Sequence, residues 1–331
     1  MGYGAEKEKV EKKIRKIWRV LFIVLCVVLV ALAVFSCFCP METWKFYVSK
    51  PNVSKRQEGE LRIHFLDVGQ GDATIIELSD GKIMLIDGGN GDEDTLKAVM
   101  RYLNALKIEA IDYLVVTHAD EDHCGSLDKV LKYKDVKQAF VPVSSVTDEN
   151  EYGEFFAALL KEGCSWSFSS PAIDLSVAGE QGYTLKFLYP YIYDVEQETE
   201  IDTNDSSCVL WLDYQGTSAI FMGDAPLKIE QNLMRDFWLG LMQEGIVLND
   251  TEILKVSHHG SRDATSAEFV KFLGVKDAVI SCGENNPYKH PSDTVLENLE
   301  KSQVSVYRTD TQGNVIFTIS KTGEYEVKTL Q

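Results

Sequence analysis

Residues 111–123 read IDYLVVTHADEDH, a mostly apolar run that passes directly into Thr117-His118-Ala119-Asp120-Glu121-Asp122-His123. The run has the composition of a buried strand. The tip that ends it holds four candidate ligands, His118, Asp120, Asp122 and His123, within six residues. Imidazole and carboxylate are the donors that hydrolytic divalent cations take. Alternate positions on an irregular loop can turn inward together, and the adjacent pair Asp122 and His123 leaves donors for a second ion. Acidic residues are common in solvated turns, but a solvated loop has no need of two histidines at the end of a buried strand. The stretch predicts a dinuclear metal site.

Working outward, three other segments have the same form, a strand running into a polar tip. LIDGG places Asp87, AIFMGDA places Asp224 after Gly223, and ILKVSHHGS delivers His258 and His259. Alone each reads as an ordinary turn; together with the first tip they supply enough donors for two ions sharing a carboxylate. Around them strands and helices alternate. LRIHFLDV, ATIIEL and KIMLIDG predict an antiparallel start, and Leu96, Val99, Met100, Leu103 and Leu106 give an amphipathic helix over 94–107. Further helices are predicted at about 125–133, 152–161, 226–242, 264–273 and 292–301, with strands between them and three short strands closing the chain. This order predicts an α/β fold, a four-layer αβ/βα sandwich in which two sheets pack face to face with helices outside. No internal linker appears between residues 60 and 331, so they are read as one domain.

Before that domain, Val20 to Cys39 carry no charge and one hydroxyl. Twenty helical residues rise about 30 Å, the thickness of a bilayer's hydrocarbon core. Seven basic and three acidic side chains precede the run. The expectation is a basic cytoplasmic segment (1–19), a single-pass signal anchor (20–39), a tether (40–59) and an outer domain (60–331) beyond the cell membrane. A cleaved signal peptide or a lipoprotein box at Val34-Phe35-Ser36-Cys37 is the rival, disfavoured by the length of both the leading segment and the apolar run and by the lack of an A-x-A site. Beyond residue 40 the whole-chain charge of −18 becomes −22, because the first 40 residues are net positive by four. So acidic a surface excludes loose, general binding of nucleic acid. Cys124, Cys164, Cys208 and Cys282 lie in the outer domain at no zinc-finger spacing, and any disulfide among them is left unassigned.

The ordered set LIDGG, THADEDH, FMGDA and SHHGS resembles the metallo-β-lactamase superfamily. More narrowly, FLDVGQGDA, HADEDHCGSL, LKVSHHGS, NPYKHP and YRTDTQGNV resemble the extracellular hydrolase domain of ComEC-type competence proteins, over roughly residues 60–320. The resemblance implies two divalent ions, zinc or manganese. His118 and Asp120 would hold one, Asp122 and His123 the other, Asp224 would bridge them, and one of His258 and His259 would complete the second site. Asp87 would orient the loop, and Asp122 would also be essential to catalysis. Asp120 stands where many superfamily members have a histidine, and Asn204 stands where another would be expected. Both changes favour oxygen-preferring ions.

The same resemblance places Asn286-Pro-Tyr288-Lys289-His290-Pro in the substrate cleft, with His290 as a proton donor or phosphate contact. Arg262, Lys289 and Arg308 are the basic residues nearest the motifs and the candidates, with Asn286, for holding a phosphodiester. The G-x-G of residues 67–72 is followed by a strand rather than a helix, which rejects a dinucleotide fingerprint. Asp67 and Asp72 are expected to shape a tight turn beside the site. No G-x-S-x-G elbow exists, so a serine nucleophile is not expected. The leading expectation is an extracellular metal-dependent phosphodiesterase or nuclease. Alternatives are a hydrolase of another envelope ester (phosphorylcholine, a lactone or an amide), or a non-catalytic binding domain. With one apolar span the chain cannot itself form a DNA-translocating pore. No stable nucleic-acid complex is expected, and protein partners are not specified by the sequence.

Overall fold

Among the described residues fourteen strands carry the fold, and their period-two patterning explains how they stack. The computed structural model describes residues 2–38, 41–143, 150–191 and 202–331; Cys39 and Pro40, at the junction of the apolar run and the tether, lie outside them. The strands are β1 Leu61–Phe65, β2 Thr74–Glu77, β3 Ile83–Ile86, β4 Ala110–Val115, β5 Asp135–Val141, β6 Ser165–Phe168, β7 Thr184–Tyr189, β8 Val209–Tyr214, β9 Thr217–Phe221, β10 Ile253–Lys255, β11 Asp277–Ile280, β12 Ser305–Arg308, β13 Asn314–Ile319 and β14 Tyr325–Leu330. Eight form one sheet in the order β14-β13-β1-β2-β3-β4-β5-β6, and six form a second, β12-β11-β10-β9-β8-β7.

Successive side chains of a strand face opposite sides of its sheet. On β8, Leu210 and Leu212 point into the core shared by the two sheets, where Phe65 meets Phe221 and Phe317, while Val209 and Trp211 point the other way. The second core joins that outer face to helices Leu227–Trp238, Ala267–Leu273 and Asp293–Lys301 through Ile229, Leu233, Phe269 and Leu299. With both faces covered, β8 to β11 are almost wholly buried, which is why they read as continuous apolar runs. Helix Glu93–Ala105 buries the predicted stripe Leu96, Val99, Met100 and Leu103, and Asp92 caps it by accepting the N–H groups of Asp94 and Thr95. The predicted α/β architecture is therefore what forms. Strand β6, which has no apolar run, was not anticipated; it pairs parallel with β5.

The start of the first sheet is antiparallel through β1, β2 and β3, but β3, β4 and β5 run parallel, as do β9, β10, β11 and β12. Within each parallel group every carboxyl end lies on the same edge, the place where α/β sheets gather functional loops. Asp87, Thr117 and His118 follow β3 and β4; Asp224, His258 and Ser281 follow β9, β10 and β11.

By its contacts the chain forms two units, Met1–Ser49 and Lys50–Gln331. The first is dominated by one helix, Gly2–Phe38, which continues without a break through the basic segment and the apolar run. Its polar end carries the i,i+4 pairs Glu8–Lys12 and Glu11–Arg15. By length and composition this helix could cross a membrane.

Candidate metal centre

The centre is organised by one carboxylate. Asp224, buried behind β9, has Oδ1 3.2 Å from His123 Nε2, and Oδ2 3.8 Å from His118 Nε2, 3.7 Å from His258 Nε2 and 3.5 Å from His259 Nε2. Asp120 Oδ2 lies 3.6 Å from His118 Nε2, and Asp122 Oδ2 lies 3.2 Å from His259 Nε2. All seven ligand candidates therefore converge around Asp224, with Asp120 beside His118 and Asp122 beside His259.

The tautomers of three histidines follow from what their other nitrogens meet. His123 Nδ1 is 2.8 Å from Asp87 Oδ2, and His259 Nδ1 is 2.9 Å from the Ser281 carbonyl. Both partners only accept, so each Nδ1 carries the hydrogen. Thr117 Oγ1 donates to Asp87 Oδ2 at 2.7 Å, which leaves it to accept from His118 Nδ1 at 3.1 Å. Three Nε2 lone pairs are thus aimed at the centre. His118 Nε2 and Asp224 Oδ1 are buried without a hydrogen-bond partner. His123 Nε2 and His259 Nε2 face each other at 3.4 Å, where two lone pairs repel unless a cation lies between them. This donor set fits divalent metal ions, and its outer hydrogen bonds are those that orient metal-bound imidazoles.

The charges balance in the same sense. Burial alone would raise the Asp224 carboxyl, but His123, His259 and His118 hold it well below the usual carboxylate range. Burial pulls the imidazoles of His123 and His259 down, yet Asp224 dominates, with Asp87 on the first and Asp122 and Asp72 on the second, and both end above the ordinary histidine value. A proton taken up by either ring sits at the Nε2 position that an ion would take.

The sequence left His258 and His259 unresolved, and the geometry separates them. Both adopt positive φ, 48° and 51°, a strained pair at the end of β10. His259 is turned inward and buried, whereas the His258 side chain is 31% exposed and packs against the His290 ring at 5.6 Å between centroids. Asp72 is closer than its expected turn role implied, since it clusters with His123, Asp224 and His259. Its Oδ1, however, approaches the Nδ1 side of His259 at 3.7 Å, and its Oδ2 is held by the buried Lys255 Nζ at 2.7 Å, so it buttresses the ring from behind. The loop that carries it presses on the metal tip: Asp72 N–H donates to the Asp122 carbonyl, and a Cβ on Gly71 would lie 2.4 Å from that same oxygen.

The other expected residues differ in their surroundings. The Asn286 side-chain amide donates to the carbonyls of Gly283 and His290 and accepts from His290 N–H, which staples its own loop. Arg308 is closed off by a two-pronged pair with Asp310. Asp67 is exposed and caps its own turn by accepting from Gly69 N–H. Asn204 lies in the short helix Thr203–Ser206, with Oδ1 buried and unpartnered, next to Thr203, whose side chain bonds Asp120. Arg262 and Lys289 are exposed and line a cavity with His290. Cys124, Cys164, Cys208 and Cys282 are all free thiols. Sequence reasoning passed over Thr117, Lys255, Ser281 and Ser207, which accepts Asp224 N–H. Only Thr117, adjacent to His118, carried a local signal.

The two-sheet fold and this donor set define a metal-binding class, and the chain belongs to the metallo-beta-lactamase superfamily, whose sequence profile matches residues 66–284. Among characterised proteins it is similar to ComE operon protein 3 of Bacillus subtilis (strain 168), 31% identical across 78% of this chain and 33% of that one. It is also similar to Recombination protein 2 of Haemophilus influenzae, 30% identical across 77% of this chain and 28% of the relative, and to Competence protein ComA of Neisseria gonorrhoeae, 25% identical across 80% and 33%. The chain spans about a third of the length of each of these relatives.

Proposed function

We propose that this chain is a membrane-anchored phosphodiesterase that uses two divalent ions, zinc or manganese, and acts on nucleic acid outside the cytoplasm. The observation that carries the reading is the ring of Nε2 and carboxylate atoms around Asp224. The names of the relatives, competence and recombination proteins, support a nucleic-acid substrate. The basic end of the apolar helix supports a cytoplasmic N-terminus.

His118, Asp120 and Asp224 would hold one ion, and Asp122, His123, His259 and Asp224 the other. The chemistry supplied by divalent ions bound there would be a water with pKa brought toward about 7 and stabilisation of charge developing on a phosphoryl oxygen. The chain's own part is orientation. Asp87, Thr117 and Ser281 keep the imidazoles in one tautomer, and Lys255 with Asp72 backs His259. Asp120 and Asp122, with side chains 41% and 28% exposed, mark the open side of the centre where substrate enters. With the surrounding surface so acidic, a polyanion is held locally at this opening rather than along the domain.

The test uses the full chain in detergent, stripped with chelator and reloaded with manganese or zinc. Two ions per chain and cleavage of both single-stranded DNA and a small diester are expected, with both activities lost in Asp122→Ala. Activity that survives Asp122→Ala, or a loaded chain that cleaves neither substrate, sinks the reading. A cleaved diester with intact DNA rejects nucleic acid as substrate. An N-terminal tag digested by protease added to intact cells rejects the orientation.

A further inference from the structure

Beside the metal centre lies a cavity of about 580 Å³ lined by Arg262, Asp263, Tyr288, Lys289, His290 and Asp293, which the ligand set leaves unused. Three rings lead from its mouth to the candidate metal centre. Tyr288, 65% exposed, stacks on His290 with centroids 5.8 Å apart and planes 16° from parallel. His290 meets His258 edge-on, and His258 Nε2 is 3.7 Å from Asp224 Oδ2. One face of the tyrosine is thus backed by an imidazole while the ring stays open to solvent. An exposed tyrosine normally loses ordering entropy for nothing, but here the loop beneath it is fastened. Asn286 staples it internally, Ser292 N–H donates to the Gly260 carbonyl at 2.8 Å, and Gly260 sits so close to Pro291 that an added Cβ would lie 2.6 Å from it. The platform is therefore fixed relative to the turn that carries His258 and His259.

We infer that Tyr288, backed by His290, is a stacking platform for an unpaired nucleobase of the substrate, next to the phosphodiester presented to the metals. The inference rests on the proposed function and narrows it to single-stranded nucleic acid, because a base inside a duplex already has both faces covered. The charges in the cavity agree with a base more than with a row of phosphates. Arg262 and Lys289 make no ion pair among the described residues, but Asp263 and Asp293 line the same space. The balance is close to neutral, enough to steer one flanking phosphate and too little to grip a backbone. A π-face is accepted whatever the base, so the platform selects strandedness rather than sequence.

Stacking can be read without turnover. The probe is a dinucleotide carrying 2-aminopurine, whose fluorescence is quenched on stacking, with a methylphosphonate link that resists cleavage; it is titrated into the full chain in detergent. Saturable quenching is expected, with affinity roughly 5- to 150-fold weaker in Tyr288→Ala and retained in Tyr288→Phe. An abasic dinucleotide should compete poorly, and a duplex carrying the probe should not be quenched. Equal affinity in wild type and Tyr288→Ala overturns the inference, as does equal competition by the abasic compound. Tyr288 is at the surface, so its variants are expected to fold, and an unchanged thermal melt confirms that. Hydrolysis is assayed separately. Quenching without cleavage of any diester removes the phosphodiesterase reading and leaves the base site standing; cleavage without quenching does the reverse.

Discussion

The Nε2 atoms of His123 and His259 face each other at 3.4 Å, although 136 positions separate the two residues in the chain. Each ring has already committed its Nδ1 hydrogen, to Asp87 and to the Ser281 carbonyl. The gap between them therefore takes a proton or a metal ion. Asp224 lifts both imidazoles above their ordinary value despite burial, so the metal-free centre holds a proton to higher pH than a free histidine would. Binding must expel it. Manganese or zinc affinity is expected to rise with pH above about 6.5, with proton release visible as buffer-dependent heats in calorimetry. A flat affinity with buffer-independent heats would contradict this arrangement.

Asp87 acts through His123 and Thr117 and touches no ligand position itself. Asp87→Asn keeps the shape but removes an obligate acceptor, so the His123 ring loses its fixed tautomer. Metal affinity is expected to fall roughly 10- to 100-fold, measured by competition with a chelating dye while circular dichroism stays native. Unchanged affinity would show that packing alone orients the ring.

The two histidines after β10 should respond differently. His259→Ala removes a buried donor from the group containing Asp122 and His123 and is expected to cost one bound ion per chain. His258→Ala, at the rim, is expected to retain both ions. Equal metal content in the two variants would show that the burial difference does not set the ligand.

Gly71 and Gly69 offer a matched pair. Gly71 has φ +135°, and its added Cβ would strike the Asp122 carbonyl, whereas Gly69 has φ +73° with open space around it. Gly69→Ala is expected to cost about 1–2 kcal/mol from backbone conformation alone. Gly71→Ala should cost more and also weaken metal binding, because relief of the clash moves Asp122. Denaturant titration and metal content together check this; a metal-neutral Gly71→Ala would separate the loop from the site.

Far from the metals, Glu77 Oε1 receives Arg62 Nε at 2.8 Å and lies 2.9 Å from His64 Nε2 inside the first sheet. Burial pushes Glu77 up, but His64 and Arg62 outweigh it and hold the carboxyl below its usual range. Its stabilising contribution is present above the unfolded value of about 4.3 and is lost as pH falls through the folded one. Burial lowers His64 more than Glu77 raises it, so the folded ring stays neutral while the unfolded one takes a proton. That too costs stability as pH drops below about 6.5. Denaturation midpoints are expected to fall continuously on acidification. Glu77→Gln, which strands a buried Arg62, should cost about 3–5 kcal/mol at neutral pH; a neutral substitution would mean water reaches the guanidinium.

Much of the fold and of the site was legible because both are written as local pattern. Strands such as β8 and β9 show as apolar runs, helix Glu93–Ala105 shows as a stripe, and each ligand sits at the tip of such a run. Strand β6 was missed because Ser165–Phe168 is an edge strand with no buried face to impose a pattern. The partners of Asn286 and Arg308 were hidden for a related reason. Both have the chemistry of a phosphate contact, and nothing local shows that their polar atoms are already taken by Gly283, His290 and Asp310.

By itself, then, the sequence determined the class of fold, the apolar helix that precedes it and the residues able to bind metal, since these follow from composition and spacing. Only the tertiary structure decided how those residues divide. The parallel strands bring their carboxyl ends to common edges, and the packing of one sheet on the other then sets which imidazole turns inward. It placed His259 at the centre and His258 at the rim. It also supplied Thr117, Ser281 and Lys255 as the partners that fix the rings, because a hydrogen bond's direction depends on where the second group lies in space and not on its distance along the chain.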